Sequence, residues 1–443
     1  MSESTQDKTS HIARAGLQSA GDKVEKELLR TGIDSERLSV MQLGRRAQLS
    51  GVPSWLWRLL IGLALWVVAL AFDFFLSSQP PYLQAGVKLG IGLIILIAAC
   101  EILVSATERL AARFQWDHYI AGTLAEILST TPELVVIAFI VPISPITAFT
   151  LSVVTIYNNA LVFSLYSFFL PKDKEGKFLM PTPITEAGTQ ILIGGGAMGL
   201  ILGLVMLTLS TVPTSENSFS STDLVFISSI LLTIFVVYIY KLLTGYAKEE
   251  ADVRANLSMS DADIEQRLEL VYANVKPSSF WAISTMFVAG IFGAFIGGHE
   301  VSGFASTMIQ DLEVNPILTA LILALFAGLS EYVILWQSHR KREYGIALAN
   351  AFGGITQVMF LVLPFTLLCV ALYQGYLNPA HPDLALEFTV SNIFLLLFLF
   401  PTFYTLSSLL EEDHTLGILD TTIMTGIFLF VIVLLVGYGG ASI

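Results

Sequence analysis

Five glutamates lie well inside long apolar stretches of this 443-residue chain, where a charged side chain is costly. They are Glu101, Glu126, Glu133, Glu300 and Glu331. The centres of the same stretches contain no lysine or arginine, so we expect ion pairs not to explain these carboxylates. An acidic group in such a setting is by default a candidate for binding a cation or a proton.

Oxygen-bearing side chains accompany two of these glutamates and suggest a cation site. Glu126, Ser129, Thr130 and Glu133 follow one face of a helix, at i, i+3, i+4 and i+7. The predicted ligands are Glu133, Glu331, Thr130, Ser330, Asn159, Gln357 and Glu126. An all-oxygen set suits a hard cation such as Ca²⁺ better than zinc or copper. For Asn158, Asn350 and Thr356, hydrogen bonding between helices explains the residue equally well.

Glu101, Glu300 and His299 are the candidates for a proton or access path. A structural role for the two glutamates, or simple packing of His299, explains them as well. The His299-Glu300 pair does not begin a metalloprotease motif, because the second histidine would stand at position 303, which is glycine. No other feature favours an enzyme, and we expect no cofactor.

The composition places these residues in an integral membrane protein. Hydrophobic residues make up 54% of the chain and charged residues 13%, with a mean hydropathy of +0.71. The net charge of −13 excludes a nucleic-acid partner, since no basic surface faces phosphates. Cys100 and Cys369 lie in apolar runs without a metal-binding spacing. The expected partners are the lipid bilayer and transported cations.

Continuous apolar runs predict an all-α protein with eleven membrane spans. They cover residues 53–76, 87–107, 118–140, 146–170, 185–209, 222–243, 280–309, 315–338, 344–372, 385–409 and 418–438. Lys and Arg concentrate in alternate loops, which predicts a cytosolic N-terminus and an external C-terminus. The polar residues 1–52 contain no apolar run of signal-peptide length, so we expect a cytosolic tail and a prokaryotic cytoplasmic membrane.

The apolar part of the chain divides into two similar halves. We predict an extra helix at 53–76, a first repeat at 87–243, an acidic cytosolic loop at 244–279 and a second repeat at 280–443. Five crossings separate the spans of Glu133 and Glu331, so the repeats run in opposite directions. Pro132 and Gly328 weaken the two helices beside these glutamates. Inverted five-helix repeats with helix breaks at mid-membrane are typical of secondary transporters.

The motifs of both repeats resemble the cation/Ca²⁺ exchanger superfamily, and within it the cation/proton exchanger group of Ca²⁺/H⁺ antiporters. The second repeat carries Gly328-Leu329-Ser330-Glu331 and then Gly353-Gly354-Ile355-Thr356-Gln357, ending at Pro364. The first carries Ala106-Thr107-Glu108-Arg109-Leu110-Ala111 and Pro132-Glu133-Leu134. Tyr332 replaces the family's common histidine, and Pro132-Glu133 is similar to the Na⁺/Ca²⁺ exchanger branch.

The resemblance implies an antiporter that exchanges Ca²⁺ for H⁺ through one glutamate of each repeat. Na⁺/Ca²⁺ or Na⁺/H⁺ exchange is the alternative within transport, favoured by Glu126 and Pro132. The alternative from another class is a membrane scaffold or sensor that transports nothing. No carbonyl filter loop is present in the sequence to favour a channel.

Overall fold

The computed structural model describes most of the apolar part of the chain. The described residues are 54–71, 79–114, 124, 127–173, 175–180, 184–211, 218–256, 279–340, 344–377, 386, 388–412 and 414–438. The predicted tail at 1–52 and most of the loop at 244–279 lie outside them. So does the predicted ligand Glu126, as does the side chain of Ser330.

The described residues are almost entirely helical. The helices are α1 (Ser54–Ala71), α2 (Pro81–Phe114), α3 (Thr131–Ile140), α4 (Pro145–Tyr166), α5 (Thr189–Thr211), α6 (Ser221–Asn256), α7 (Phe280–Ser306), α8 (Pro316–Ala327), α9 (Leu329–Arg340), α10 (Tyr344–Gln357), α11 (Leu363–Leu372), α12 (Val390–Glu411) and α13 (Ile418–Tyr438). Two short strands, β1 (Phe178–Leu179) and β2 (Thr415–Leu416), pair antiparallel and join the α4–α5 and α12–α13 connections.

The helices confirm the prediction of an all-α membrane protein. Eight helical segments among the described residues are long and apolar enough to cross a bilayer, and three shorter apolar helices accompany them. The shorter ones cover Trp55–Ala71, Ile127–Ile140 and Pro316–Ala327. Each of the eleven predicted spans overlaps one of these segments.

Two predicted spans are interrupted helices. The span predicted at 315–338 divides at Gly328 into α8 and α9. The span predicted at 344–372 contains a π-helical segment, Val358–Val362, between α10 and α11. Pro364 follows this segment and has no backbone N–H, so the regular hydrogen-bond ladder cannot pass through it. In α3, by contrast, Pro132 lies in the first turn, where its missing N–H is not needed.

Helix α4 forms the centre of the bundle, because most of its residues are buried on all sides. It packs against α8, α10 and α13, while α5 packs on α12 and α2 on α7. The backbones of α2 and α7 are in contact where the helices cross. A Cβ at Gly92 would lie 2.9 Å from the carbonyl oxygen of Gly297, and a Cβ at Gly297 would lie 2.9 Å from the carbonyl oxygen of Gly92. Small residues allow such close approach between membrane helices.

Candidate cation-binding site

The two glutamates singled out by the repeats occupy matching places in their helices. Glu133 lies in the first turn of α3, and Glu331 lies in the first turn of α9. Each is only 8% exposed. The N-terminus of a helix carries a partial positive charge, which favours an ionised carboxylate there. The two carboxylates are close enough to repel each other, so this placement offsets only part of the cost of two buried charges.

Asn159 and Gly354 complete one side of the site. Asn159 belongs to α4 and is 2% exposed. A Cβ at Gly354 of α10 would lie 2.7 Å from Glu331 Oε2 and 2.9 Å from Asn159 Nδ2. The carboxylate of one repeat and the amide of the other therefore converge on this glycine. Any larger residue at position 354 would occupy the space between them.

Several buried polar atoms of this site have no hydrogen-bond partner in the part of the chain that the structure describes. Glu133 Oε2 and both polar atoms of the Asn159 side chain have no hydrogen-bond partner among the described residues. Leaving such groups unsatisfied costs about 1–3 kcal/mol each, and more for a charged group. A bound cation would satisfy the Glu133 and Asn159 oxygens at once. The pattern is what a site built for a ligand requires.

The two asparagines for which hydrogen bonding between helices was an equal explanation are engaged in bonds within the protein. Asn158 Nδ2 donates to the carbonyl oxygen of Ala324 at 3.2 Å and to the hydroxyl of Tyr332. Asn350 Nδ2 donates to the carbonyl oxygen of Glu331 at 3.5 Å. These contacts favour the helix-bonding explanation for both asparagines.

Thr130 and Gln357 are both buried at the ends of helices. Thr130 is the residue before α3, 2% exposed, and its hydroxyl donates to the carbonyl oxygen of Ile127 at 2.7 Å. The hydroxyl oxygen therefore keeps its lone pairs for a cation. Gln357 is the last residue of α10 and is 3% exposed. The hydroxyl of Thr356 donates to the carbonyl oxygen of Gly353 at 3.0 Å.

Tyr332 is a neighbour of the site whose contacts the sequence did not indicate. Its ring and hydroxyl cover Gly328, where a Cβ would lie 2.8 Å from the hydroxyl oxygen. The hydroxyl also lies within electrostatic reach of Glu331 and Glu133. The signals in the sequence were its position immediately after Glu331 and its replacement of the histidine that is common in the resembled family.

A cavity of about 640 Å³, including the space at its mouth, reaches Glu133. Its lining is mostly apolar, and Thr155 is the other polar side chain among the described residues that form it. The lining residues Val136 and Ile137 follow Glu133 along α3, and Leu151 precedes Asn159 along α4. Because residues 141–144 join α3 to α4, both directions lead to the same end of the bundle. The cavity therefore lies between Glu133 and that end of the bundle.

The three access-path candidates lie away from this cavity lining. Glu101 forms an ion pair with Arg58 of α1, and Glu300 Oε1 accepts a hydrogen bond of 2.9 Å from Trp66 Nε1, also in α1. The expectation that no basic residue pairs with these carboxylates is therefore wrong for Glu101. The partner comes from another helix, 43 positions earlier in the chain. His299 is exposed and packs edge-on against Phe139, with ring centroids 5.7 Å apart.

Comparisons with known proteins agree with the fold. Residues 283–437 match the family model described as sodium/calcium exchanger protein. The H⁺/Ca²⁺ exchanger CAX has a crystal structure that is similar with a TM-score of 0.60 and 14% identity, covering 86% of this chain and 88% of that one. The structure of native YfkE gives a TM-score of 0.55 and 15% identity, covering 86% of this chain and 98% of that one.

A search of curated proteins found no match. The two structural likenesses establish a shared fold over most of the chain, and the family match lies in the half that contains Glu331. The family match over residues 283–437 agrees with the resemblance that the motifs of the second repeat carry.

Proposed function

We propose that this membrane protein is an antiporter that exchanges Ca²⁺ for H⁺ at a site formed by Glu133 and Glu331. The observation that carries the proposal is the burial of two neighbouring carboxylates beside an asparagine amide that has no hydrogen-bond partner among the described residues. The site offers two anionic oxygen ligands and several neutral ones, which is the chemistry that Ca²⁺ prefers.

Exchange follows from the charge of this site. When both carboxylates are ionised and no cation is bound, the site carries two buried negative charges, and this state is expensive in a medium of low polarity. One Ca²⁺ cancels the charge, and so does protonation of both carboxyl groups. The empty, ionised site is then the state least able to pass between the two sides. Transport of Ca²⁺ in one direction therefore requires a return with protons.

The remaining predicted ligands are proposed to complete the coordination. Thr130, Asn159 and Gln357 are buried and carry neutral oxygens; Thr130 lies three residues before Glu133, and Gln357 lies three residues after Gly354. Ser330 and Glu126 keep their proposed roles from the sequence. With the predicted sidedness, the cavity that reaches Glu133 opens to the outside, because it follows α3 and α4 toward their connection. The described conformation is then the one that receives or releases Ca²⁺ externally.

The names of the similar proteins and of the matched family model include both H⁺ and Na⁺ as coupling ions. CAX is an H⁺/Ca²⁺ exchanger and YfkE a Ca²⁺/H⁺ antiporter, and both share this fold. The matched family model is named for sodium/calcium exchange, so Na⁺ is the competing coupling ion. Whether a pH gradient alone drives Ca²⁺ movement distinguishes H⁺ from Na⁺ as the coupling ion.

The test is uptake of ⁴⁵Ca²⁺ into proteoliposomes with an imposed pH gradient and no Na⁺, followed by the same assay with a Na⁺ gradient at equal pH. We expect uptake with the pH gradient alone and its loss in Glu133→Gln and in Glu331→Gln. Glu313→Gln is the matched control, since Glu313 is exposed in the α7–α8 connection. Uptake only with Na⁺ would replace H⁺ by Na⁺ in the proposal. Equal uptake by Glu133→Gln would refute the site.

A further inference from the structure

Helix α1 stands outside the two five-helix repeats and makes two polar contacts with them. Arg58 pairs with Glu101 of α2, and Trp66 Nε1 donates to Glu300 Oε1 of α7 at 2.9 Å. Arg58 and Trp66 are eight residues apart, which separates them by about 12 Å along the helix. One helix thus holds a glutamate of each repeat.

An apolar contact reinforces these two polar contacts. Residues of α1, α2 and α7 form a hydrophobic cluster that is separate from the main core. Its buried members are Leu59, Ile91, Ile95, Ala98, Ile102, Ala106, Met286 and Ile296. Gly62 brings α1 close to α2, because a Cβ there would lie 2.7 Å from Ile95 Cγ1. Leu59 of α1 and Ala99 of α2 both lie next to Gly293 of α7. A Cβ at Gly293 would lie 3.4 Å from Leu59 Cδ1 and 3.3 Å from Ala99 Cβ.

The opposite face of α2 lines the cavity that leads to Glu133. Leu93, Leu96 and Ile97 of α2 and Val301 of α7 form one wall of that cavity, and residues of α3, α4 and α8 form the other. Ile91, Ile95 and Ala98 face α1 instead. Helix α1 therefore packs against α2 and α7 on the side that faces away from the cavity. Closing the cavity over Glu133 requires the two walls to approach each other.

We propose that α1 clamps α2 to α7, so that the three helices move as one body against α3 and α4 when the cavity opens and closes. Arg58 and Trp66 are positioning residues in this proposal, and Glu101 and Glu300 are their anchors rather than ion ligands. A charged pair inside the membrane is retained because each partner would be costly alone. The proposal rests on the transport function proposed above.

Charge reversal tests the Arg58–Glu101 contact. Arg58→Glu places two negative charges together, and we expect a fall of the maximal exchange rate by about tenfold, with the apparent Ca²⁺ affinity unchanged. Arg58→Glu combined with Glu101→Arg restores the opposite charges, and we expect it to recover most of the rate. An undiminished rate in Arg58→Glu would overturn the proposal, and so would a double variant that is no better than the single one.

Engineered disulfides test whether the three helices move together. In a background with Cys100→Ala and Cys369→Ala, one variant carries cysteines at Gly62 and Ile95, which link α1 to α2. A second carries them at Leu103 and Gly290, which link α2 to α7, since a Cβ at Gly290 lies 2.8 Å from Leu103 Cγ. A third links α7 to α3 through Gly298 and Val135, where the corresponding distance to Val135 Cγ1 is 2.8 Å. These separations fit disulfide geometry.

Each variant is compared with itself before and after reduction, by ⁴⁵Ca²⁺ exchange and by ⁴⁵Ca²⁺ binding. We expect oxidation to leave exchange unchanged in the first two variants and to abolish exchange, but not binding, in the third. Loss of exchange on forming the 62–95 disulfide would overturn the clamp, as would full exchange through the 135–298 disulfide. Absence of exchange in every reduced variant and in the unmodified protein would instead refute the transport function.

Discussion

Glu331 and Asn159 meet above the Cα atom of Gly354. Glu331 Oε2 and Asn159 Nδ2 lie 2.7 and 2.9 Å from the place where a Cβ of residue 354 would be. Glu331 comes from the second predicted repeat and Asn159 from the first, so both predicted repeats contribute to the proposed site at this glycine. A buried glycine in a helix interior costs stability relative to alanine, and here the cost keeps space open between two polar groups.

Gly354→Ala tests this relationship with the smallest possible change. The added methyl group would push the Glu331 carboxylate or the Asn159 amide out of position, while alanine favours the α10 helix. We expect Ca²⁺ affinity to fall by about 10- to 100-fold, as it does when groups that orient metal ligands are changed. Equilibrium ⁴⁵Ca²⁺ binding to the purified protein measures this. Gly194→Ala is the control, because nothing lies within 4 Å of a Cβ there. Equal affinity in both variants would contradict the proposed site.

Adjacent asparagines of α4 provide a matched pair for a second prediction. Asn159 has no hydrogen-bond partner for its amide among the described residues, whereas Asn158 bonds to Ala324 and Tyr332. We expect Asn159→Ala to weaken Ca²⁺ binding with little loss of stability. Asn158→Ala should lower stability by about 1–3 kcal/mol, because it leaves buried partners unsatisfied.

Thermal unfolding in detergent, with and without Ca²⁺, measures both effects. Asn158→Ala should unfold at a lower temperature in the absence of Ca²⁺, and Asn159→Ala should lose most of the stabilisation that added Ca²⁺ gives the unmodified protein. If instead Asn159→Ala were the less stable variant without Ca²⁺, its amide would have a structural role.

The sequence predicted the features that depend on local sequence and missed those that depend on contacts between helices. Apolar run lengths predicted helices that each overlap an apolar helix of the described residues, and the cost of buried charge singled out Glu133 and Glu331 as candidate ligands, because both depend on local sequence. The Arg58–Glu101 pair joins different helices, and its geometry depends on how each helix is rotated. In a membrane, helices are apolar on the lipid side as well as in the interior, so periodicity gives little information about rotation. Tyr332 was missed as a neighbour of the site for the same reason.

Proton release provides a third prediction, since protons and Ca²⁺ compete for the same oxygens in the proposed site. A protonated carboxyl group is a poor cation ligand, so binding of Ca²⁺ must expel any proton held by Glu133 or Glu331. The apparent Ca²⁺ affinity should therefore fall as the pH is lowered. Adding Ca²⁺ to weakly buffered protein should acidify the solution, and a pH indicator dye measures the protons released per Ca²⁺ bound. We expect fewer protons in Glu331→Gln. Affinity that is independent of pH would separate Ca²⁺ binding from proton coupling.

The interface of α5 and α12 gives a stability prediction remote from the site. A Cβ at Gly196 would lie 3.0 Å from Phe400 Cα and 3.1 Å from the carbonyl oxygen of Leu399, so the backbones themselves are in contact. Backbone atoms cannot move aside as a flexible side chain can, and a larger residue must separate the helices. We expect Gly196→Leu to cost about 1–3 kcal/mol and to lower the midpoint of thermal unfolding in detergent.

Gly194→Leu, two residues earlier on an exposed face, should leave the midpoint unchanged. If both variants unfolded at the same temperature, close packing of α5 on α12 would not contribute to stability. Because neither glycine approaches Glu133 or Glu331, the Ca²⁺ affinity of the folded fraction should stay the same in both, which separates loss of packing from loss of the site.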